Sequence, residues 1–143
     1  MNARWEMSTD PSSNAKAQVS LPRMGGPGLR TFFRIAGEWG LSPDQQMILL
    51  GAPSSTFYHW KKKVLPKGDL SLSRDTLERL SYLLGIYKAL QILLPESHAG
   101  WIKRPNTNPL FGGRPALDRM LSGQVADLYI VRQFLDAWRG GWA

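Results

Sequence analysis

The stretch Leu41–Lys63, LSPDQQMILLGAPSSTFYHWKKK, leaves a folding chain little freedom in local structure. Ser42 supplies a side-chain acceptor for a helix N-terminus, Pro43 suits N1 because it needs no N–H there, and Gln45 at N3 completes a capping box. That helix runs through Met47, Ile48, Leu49 and Leu50 and stops at Gly51, which tolerates the positive φ of a tight turn. Ala52 and Pro53 lead into a second helix, where Phe57, Trp60 and Val64 recur at helical spacing and share an inward face. The opposite face carries Ser55, Tyr58, His59 and Lys62, with Ser54 at the helix start and Lys63 at the edge.

Every side chain on that outer face can donate a hydrogen bond, and two are cationic. The second helix of a helix-turn-helix works in this way: N-terminal polar residues reach base edges in the major groove while basic residues hold phosphate. Ser54, Ser55, Tyr58, His59, Lys62 and Lys63 are therefore the candidate DNA-binding residues. The plainer reading is a helical hairpin whose basic face meets only water.

The rest of the chain bounds what surrounds this pair. A net charge of +7 and a pI near 10.1 favour polyanionic partners. The absence of cysteine removes disulfides and thiolate metal sites and suits a reducing cytoplasm. No apolar run approaches a membrane span and no secretory signal opens the chain, so a cytoplasmic protein without membrane contact is expected.

Residues 1–27, rich in Ser, Asn, Pro and Gly without apolar periodicity, read as a flexible arm. Residues 28–72 form the helix-turn-helix unit, opened by a helix whose stripe is Phe32, Phe33, Ile35, Ala36 and Trp39. Residues 73–95 predict a long connecting helix: Ser73 caps it, Asp75 lies in its first turn, and Leu77, Leu80, Leu83, Leu84, Tyr87, Leu90, Leu93 and Leu94 make its second half apolar nearly all round. Gly85 either breaks or bends it.

Residues 96–143 divide into short helices. One is expected over Glu96–Lys103, and another follows Pro115 with Leu117, Met120 and Leu121 facing inward. The last, from about Gln124 to Trp138, carries Leu128, Val131, Leu135 and Trp138 on one stripe. Ile130 and Phe134 lie outside that stripe and need a second surface from the same chain, a copy of it or another protein. The end, Arg139-Gly140-Gly141-Trp142-Ala143, is costly to order at its glycines. Trp142 either anchors in a partner's pocket or folds back on the last helix.

Trp101, Pro105-Asn106, Phe111-Gly112-Gly113, Pro115, Leu117, Leu121, Gly123, Leu128, Val131, Leu135 and Arg139-Gly140-Gly141-Trp142 resemble, in order and spacing, the toxin-binding domain of the Xre/MbcA/ParS antitoxin family. Gly51, Ser55-Thr56 and Trp60 resemble that family's Xre-like N-terminal part, although Pro53 and Ser54 stand where such motifs often have Ser and Arg. The resemblance implies an all-α protein in which an Xre-like helix-turn-helix bundle is joined by a long helix to a C-terminal helical toxin-binding domain. It also implies an antitoxin paired with a RES-domain toxin that consumes NAD, and binding to the operon's own promoter DNA as a homodimer. Carried over by position, Arg139, Gly140, Gly141, Trp142 and Ala143 would obstruct the toxin's cleft. Trp101, Asn106, Phe111 and Trp138 would belong to the toxin-binding domain that holds them.

No enzyme or resident cofactor is expected. His59 and His98 have neither a carboxylate nor a nucleophile at a spacing that predicts a site, the carboxylates are scattered, and Gly112-Gly113 is too short for a phosphate loop. The rival reading is a stand-alone helix-turn-helix transcriptional regulator with no toxin partner.

Overall fold

A computed structural model describes residues 25–140 of the chain. The expected arm up to residue 24 lies outside them. The described residues form α1 (Gly25–Trp39), α2 (Pro43–Leu50), α3 (Ser54–Val64), α4 (Arg74–Leu93), α5 (His98–Trp101), α6 (Ala116–Met120) and α7 (Val125–Gly140). Among them the sole β-type pairing is an isolated bridge between Pro105 and Pro115.

Local chemistry places most boundaries. Gln45 N donates to Ser42 Oγ at 3.1 Å while Ser42 N donates to Gln45 Oε1 at 2.9 Å, so the capping box closes in both directions. Gly51 ends α2 with φ 67°. Ser73 Oγ accepts from Thr76 N at 3.2 Å and opens the 20-residue α4.

α4 organises the packing. It packs against α1 and α2 and against α5 and α7. One core results, running without interruption from Leu29, Phe32 and Ile35 through Leu83, Ile86 and Leu90 to Leu128, Val131 and Leu135. Contacts between α4 and α7 advance together: Arg79 Nη2 donates to Gly123 O at 3.0 Å, Tyr82 meets Tyr129 edge-on at 5.6 Å, and Arg132 reaches over Gly85. The two helices therefore run parallel, and the segment between them, with α5 and α6, is the crossover that a parallel pair requires.

Four expectations change. α1 begins at Gly25 rather than near residue 29, because its first turn is capped from far along the chain: Gly26 N donates to Asp69 Oδ1 at 2.8 Å. Gly85 does not break α4, which runs on through it; its missing side chain makes room for the Arg132 guanidinium lying on the helix. The helix expected over residues 96–103 shrinks to His98–Trp101. α7 continues through Arg139 to Gly140, so those two residues are helical rather than part of a free tail; glycine costs less at a fraying helix end than inside one.

Gly26 is needed for close approach. A Cβ there would sit 2.5 Å from Gly68 O and 2.9 Å from Asp69 Cα, both backbone atoms that cannot swing aside. Gly26→Ala is expected to destabilise the protein by about 1–3 kcal/mol, as overpacking does, read as a lower urea midpoint at unchanged m. An unchanged midpoint would show that the loop shifts at no cost.

Candidate functional site

The six candidate DNA-binding residues come together on one surface. Phe57 and Val64 are fully buried and Trp60 is half-buried, which turns Ser54, Ser55, Tyr58, His59, Lys62 and Lys63 outward, all of them exposed. The Lys61–Lys63 run divides for a physical reason. Lys61 Nζ lies over the rings of Phe33 and Phe57, 5.6 and 5.7 Å from their centroids, while its two neighbours stay in solvent. Pro53 is the N-cap of α3 and no side chain caps it, so the first N–H groups of the helix are left for water or an anion.

Tyr58 packs one ring edge on Phe57 at 5.0 Å yet is 49% exposed. Replacing it with alanine is expected to shift preference among DNA sequences by about 1–3 kcal/mol if its hydroxyl meets a base. A selection experiment returning the same binding profile for both proteins would remove Tyr58 from the contact set.

Lys67, just beyond α3, and Arg74, which opens α4, also face solvent, and neither belongs to the sequence-derived set. Helical periodicity overlooks them because they follow the end of the helix. Arg30 is a different omission: it is distant in sequence, and only the folded chain brings it to the end of α3.

The second cluster lies on α5, α7 and the intervening loop. Trp101, expected at the partner-binding surface, is mostly buried, and so is Phe111; their rings meet edge-on at 6.0 Å. Phe134 stacks on Trp101 at 6.3 Å and meets Phe111 edge-on at 5.3 Å. Part of the second surface that Phe134 needs is thus supplied by its own chain, and the ring stays half-buried. Trp138, expected on the buried stripe, stands at the rim: it contacts Trp101 and Phe134 at 6.3 and 6.2 Å but remains 43% exposed.

A groove of about 560 Å³ opens between these rings and the loop, lined by Trp101, Asn106, Thr107, Asn108, Phe134, Ala137 and Trp138. A second, of about 620 Å³, shares Asn108, Phe134 and Ala137 and extends to Leu110, Ile130 and Gln133. The loop forming their wall is tied together by its own hydrogen bonds. Asn106 Oδ1 accepts from Asn108 N at 3.0 Å, Asn108 Oδ1 accepts from Leu110 N at 2.9 Å, and Asn106 N donates to Arg114 O at 3.2 Å. Gly112 and Gly113 take φ of 60° and 80°, a left-handed pair that side-chain-bearing residues rarely adopt.

Arg119 braces the same loop, donating to Leu110 O at 2.8 Å and pairing with Asp127 at 2.9 Å. The Ser122 hydroxyl, donating at 2.6 Å, and then Arg119 hold the Asp127 carboxyl below its ordinary range. Arg139 and Gly140 are exposed at the end of α7, beside Trp138. Gly141, Trp142 and Ala143, expected to complete the partner-binding set, lie outside the described residues.

Fold and surfaces together define an all-helical protein of two parts: a helix-turn-helix unit with a cationic outer helix, and a helical unit with an aromatic groove. Comparison with known proteins gives each part its place. Residues 19–85 match the Antitoxin Xre-like helix-turn-helix domain, and residues 89–141 match the Antitoxin Xre/MbcA/ParS C-terminal toxin-binding domain. The chain is also 53% identical over 116 residues to the uncharacterized protein y4oB of Sinorhizobium fredii, an alignment covering 79% of this chain and 84% of that relative. The chain belongs to the Xre/MbcA/ParS antitoxin family. It is an antitoxin of a toxin–antitoxin system, with a toxin protein as partner, and both of its domains come from families of non-enzymatic regulatory proteins. Among the described residues, no helix is long and apolar enough to cross a membrane.

Proposed function

We propose that this antitoxin neutralises a RES-domain toxin that consumes NAD, by covering its active site, and that it binds its own promoter DNA as a homodimeric, cytoplasmic autorepressor. One observation carries the reading. A single continuous core supports both an exposed cationic helix face at Ser54–Lys63 and an exposed aromatic groove at Trp138, so one chain offers a surface suited to a polyanion and another suited to a protein.

Ser54, Ser55, Tyr58 and His59 would address bases while Lys62 and Lys63 hold phosphate. A two-fold dimer would read half-sites about one helical turn apart. On the toxin side, the half-exposed Trp138 ring would be the anchor, with Asn106 supplying polar contacts from the groove wall and Trp101 and Phe111 holding its shape from beneath. The residues after α7, with Arg139 and Gly140 at its end, would reach into the toxin's cleft.

Co-expression tests this reading. The antitoxin should co-purify with the product of the neighbouring reading frame, that product should be RES-type, and cells expressing it alone should lose NAD. A protein that binds its promoter yet captures no neighbouring product would be a stand-alone regulator instead.

A further inference from the structure

The segment leaving the cationic helix is held by a clamp that the DNA-binding reading does not by itself contain. Arg30, on α1, sends Nη1 to two backbone carbonyls: Val64 O, the last residue of α3, at 3.0 Å, and Gly68 O in the loop beyond. Val64 O, without a partner inside its own helix, also accepts from Gly68 N at 3.2 Å, and the guanidinium adds charge-assisted bonds that hold this turn to α1.

The loop is tied a second time by Asp69, whose Oδ1 accepts from Gly26 N at 2.8 Å at the start of α1 and from Leu70 N at 2.8 Å. Steric fit adds to both. A Cβ on Gly68 would collide with Lys63 O, and one on Gly25 with Leu70 O, so the loop lies flat against the end of α3 and the first turn of α1. Lys62 and Lys63 sit on the last turn of α3, directly before the clamped carbonyl of Val64, and are exposed.

We infer that Arg30 is a positioning residue for nucleic-acid binding: by fixing the last turn of α3 against α1, it sets where Lys62 and Lys63 meet the phosphate backbone. This rests on the DNA-binding reading proposed above. A side chain that aims a cation contributes only while the cation is present, and that separates it from a residue touching DNA itself or merely supporting the fold. Lysine is a poor replacement, since its side chain is one bond shorter and its ammonium lacks the planar fork that Arg30 presents to the two carbonyls.

The test is a double-mutant cycle on promoter DNA at fixed salt, using the full chain in complex with its toxin. Arg30→Met should weaken binding about tenfold in the natural background, the size expected on losing a charge-assisted hydrogen bond that holds a contact in place. In a Lys62→Ala/Lys63→Ala background the same change should alter binding less than about twofold. Arg30→Lys should fall nearer to Arg30→Met than to the parent, and toxin neutralisation should be unchanged in every variant.

Equal losses in both backgrounds would overturn the inference and make Arg30 a direct contact or a general support. Full affinity in Arg30→Lys would overturn it as well. Should Arg30→Met fail to fold, Arg30→Lys in the two backgrounds runs the same cycle. If the parent protein ignores its promoter altogether, the DNA-binding reading has failed rather than the clamp.

Discussion

Deleting residues 140–143 is expected to restore most of the toxin's activity while the complex still assembles. The argument is one of area and place. A stable protein complex buries roughly 800 Å² on each partner, far more than four terminal residues supply, so the groove beside Trp138 and the faces around it must carry most of the binding. The last residues would act by occupying a cleft. Trp138→Ala should also release the toxin, but by loss of assembly. A half-exposed ring resting on Trp101 and Phe134 has the character of an interface anchor, and its loss should weaken assembly by at least about thirtyfold. Co-elution of the two proteins and the NAD level of the expressing cells read the two effects separately. Full inhibition by the truncated chain would remove the cleft-blocking role, and normal assembly by Trp138→Ala would move the interface elsewhere.

Replacing both Lys62 and Lys63 with alanine is expected to reduce promoter affinity about 10- to 100-fold near physiological salt, across operator and unrelated sequences alike. Each cation that neutralises a phosphate releases a condensed counterion and contributes about 0.9 to the slope of log affinity against log salt, so the double variant should bind with a slope shallower by about 2. Lys61 makes a good control. Its ammonium lies over the Phe33 and Phe57 rings, so Lys61→Ala should cost stability and leave the slope nearly unchanged. A parallel displacement of the salt curve in the double variant, without a change in slope, would mean that neither lysine meets phosphate.

How much of this was legible beforehand depended on how far each cause lies along the chain. Ser42 with Gln45, Ser73 with Thr76 and Gly51 act within a few residues of themselves, so α2 and the start of α4 could be read directly from sequence. The outward face of α3 followed from helical spacing, because burying Phe57 and Val64 dictates where Tyr58, His59, Lys62 and Lys63 point. Trp138 shows where spacing stops helping. Its position matches the stripe of Leu128, Val131 and Leu135, but that stripe runs out of covering surface at the end of α7, leaving the ring at a rim.

The sequence alone determined that the chain is helical, where α2 and α4 begin, and which side of α3 faces out, since caps, turn glycines and apolar periods are short-range causes. Tertiary structure decided the rest. Glycines 25 and 26 join a helix because Asp69, far along the chain, caps it; Gly85 sits in an unbroken helix where Arg132 takes the space a side chain would fill; Phe134 is partly covered by Trp101 and Phe111 from its own chain. Each of these joins residues more than twenty positions apart, and a partner at that distance exists only once the chain has folded back on itself around one core.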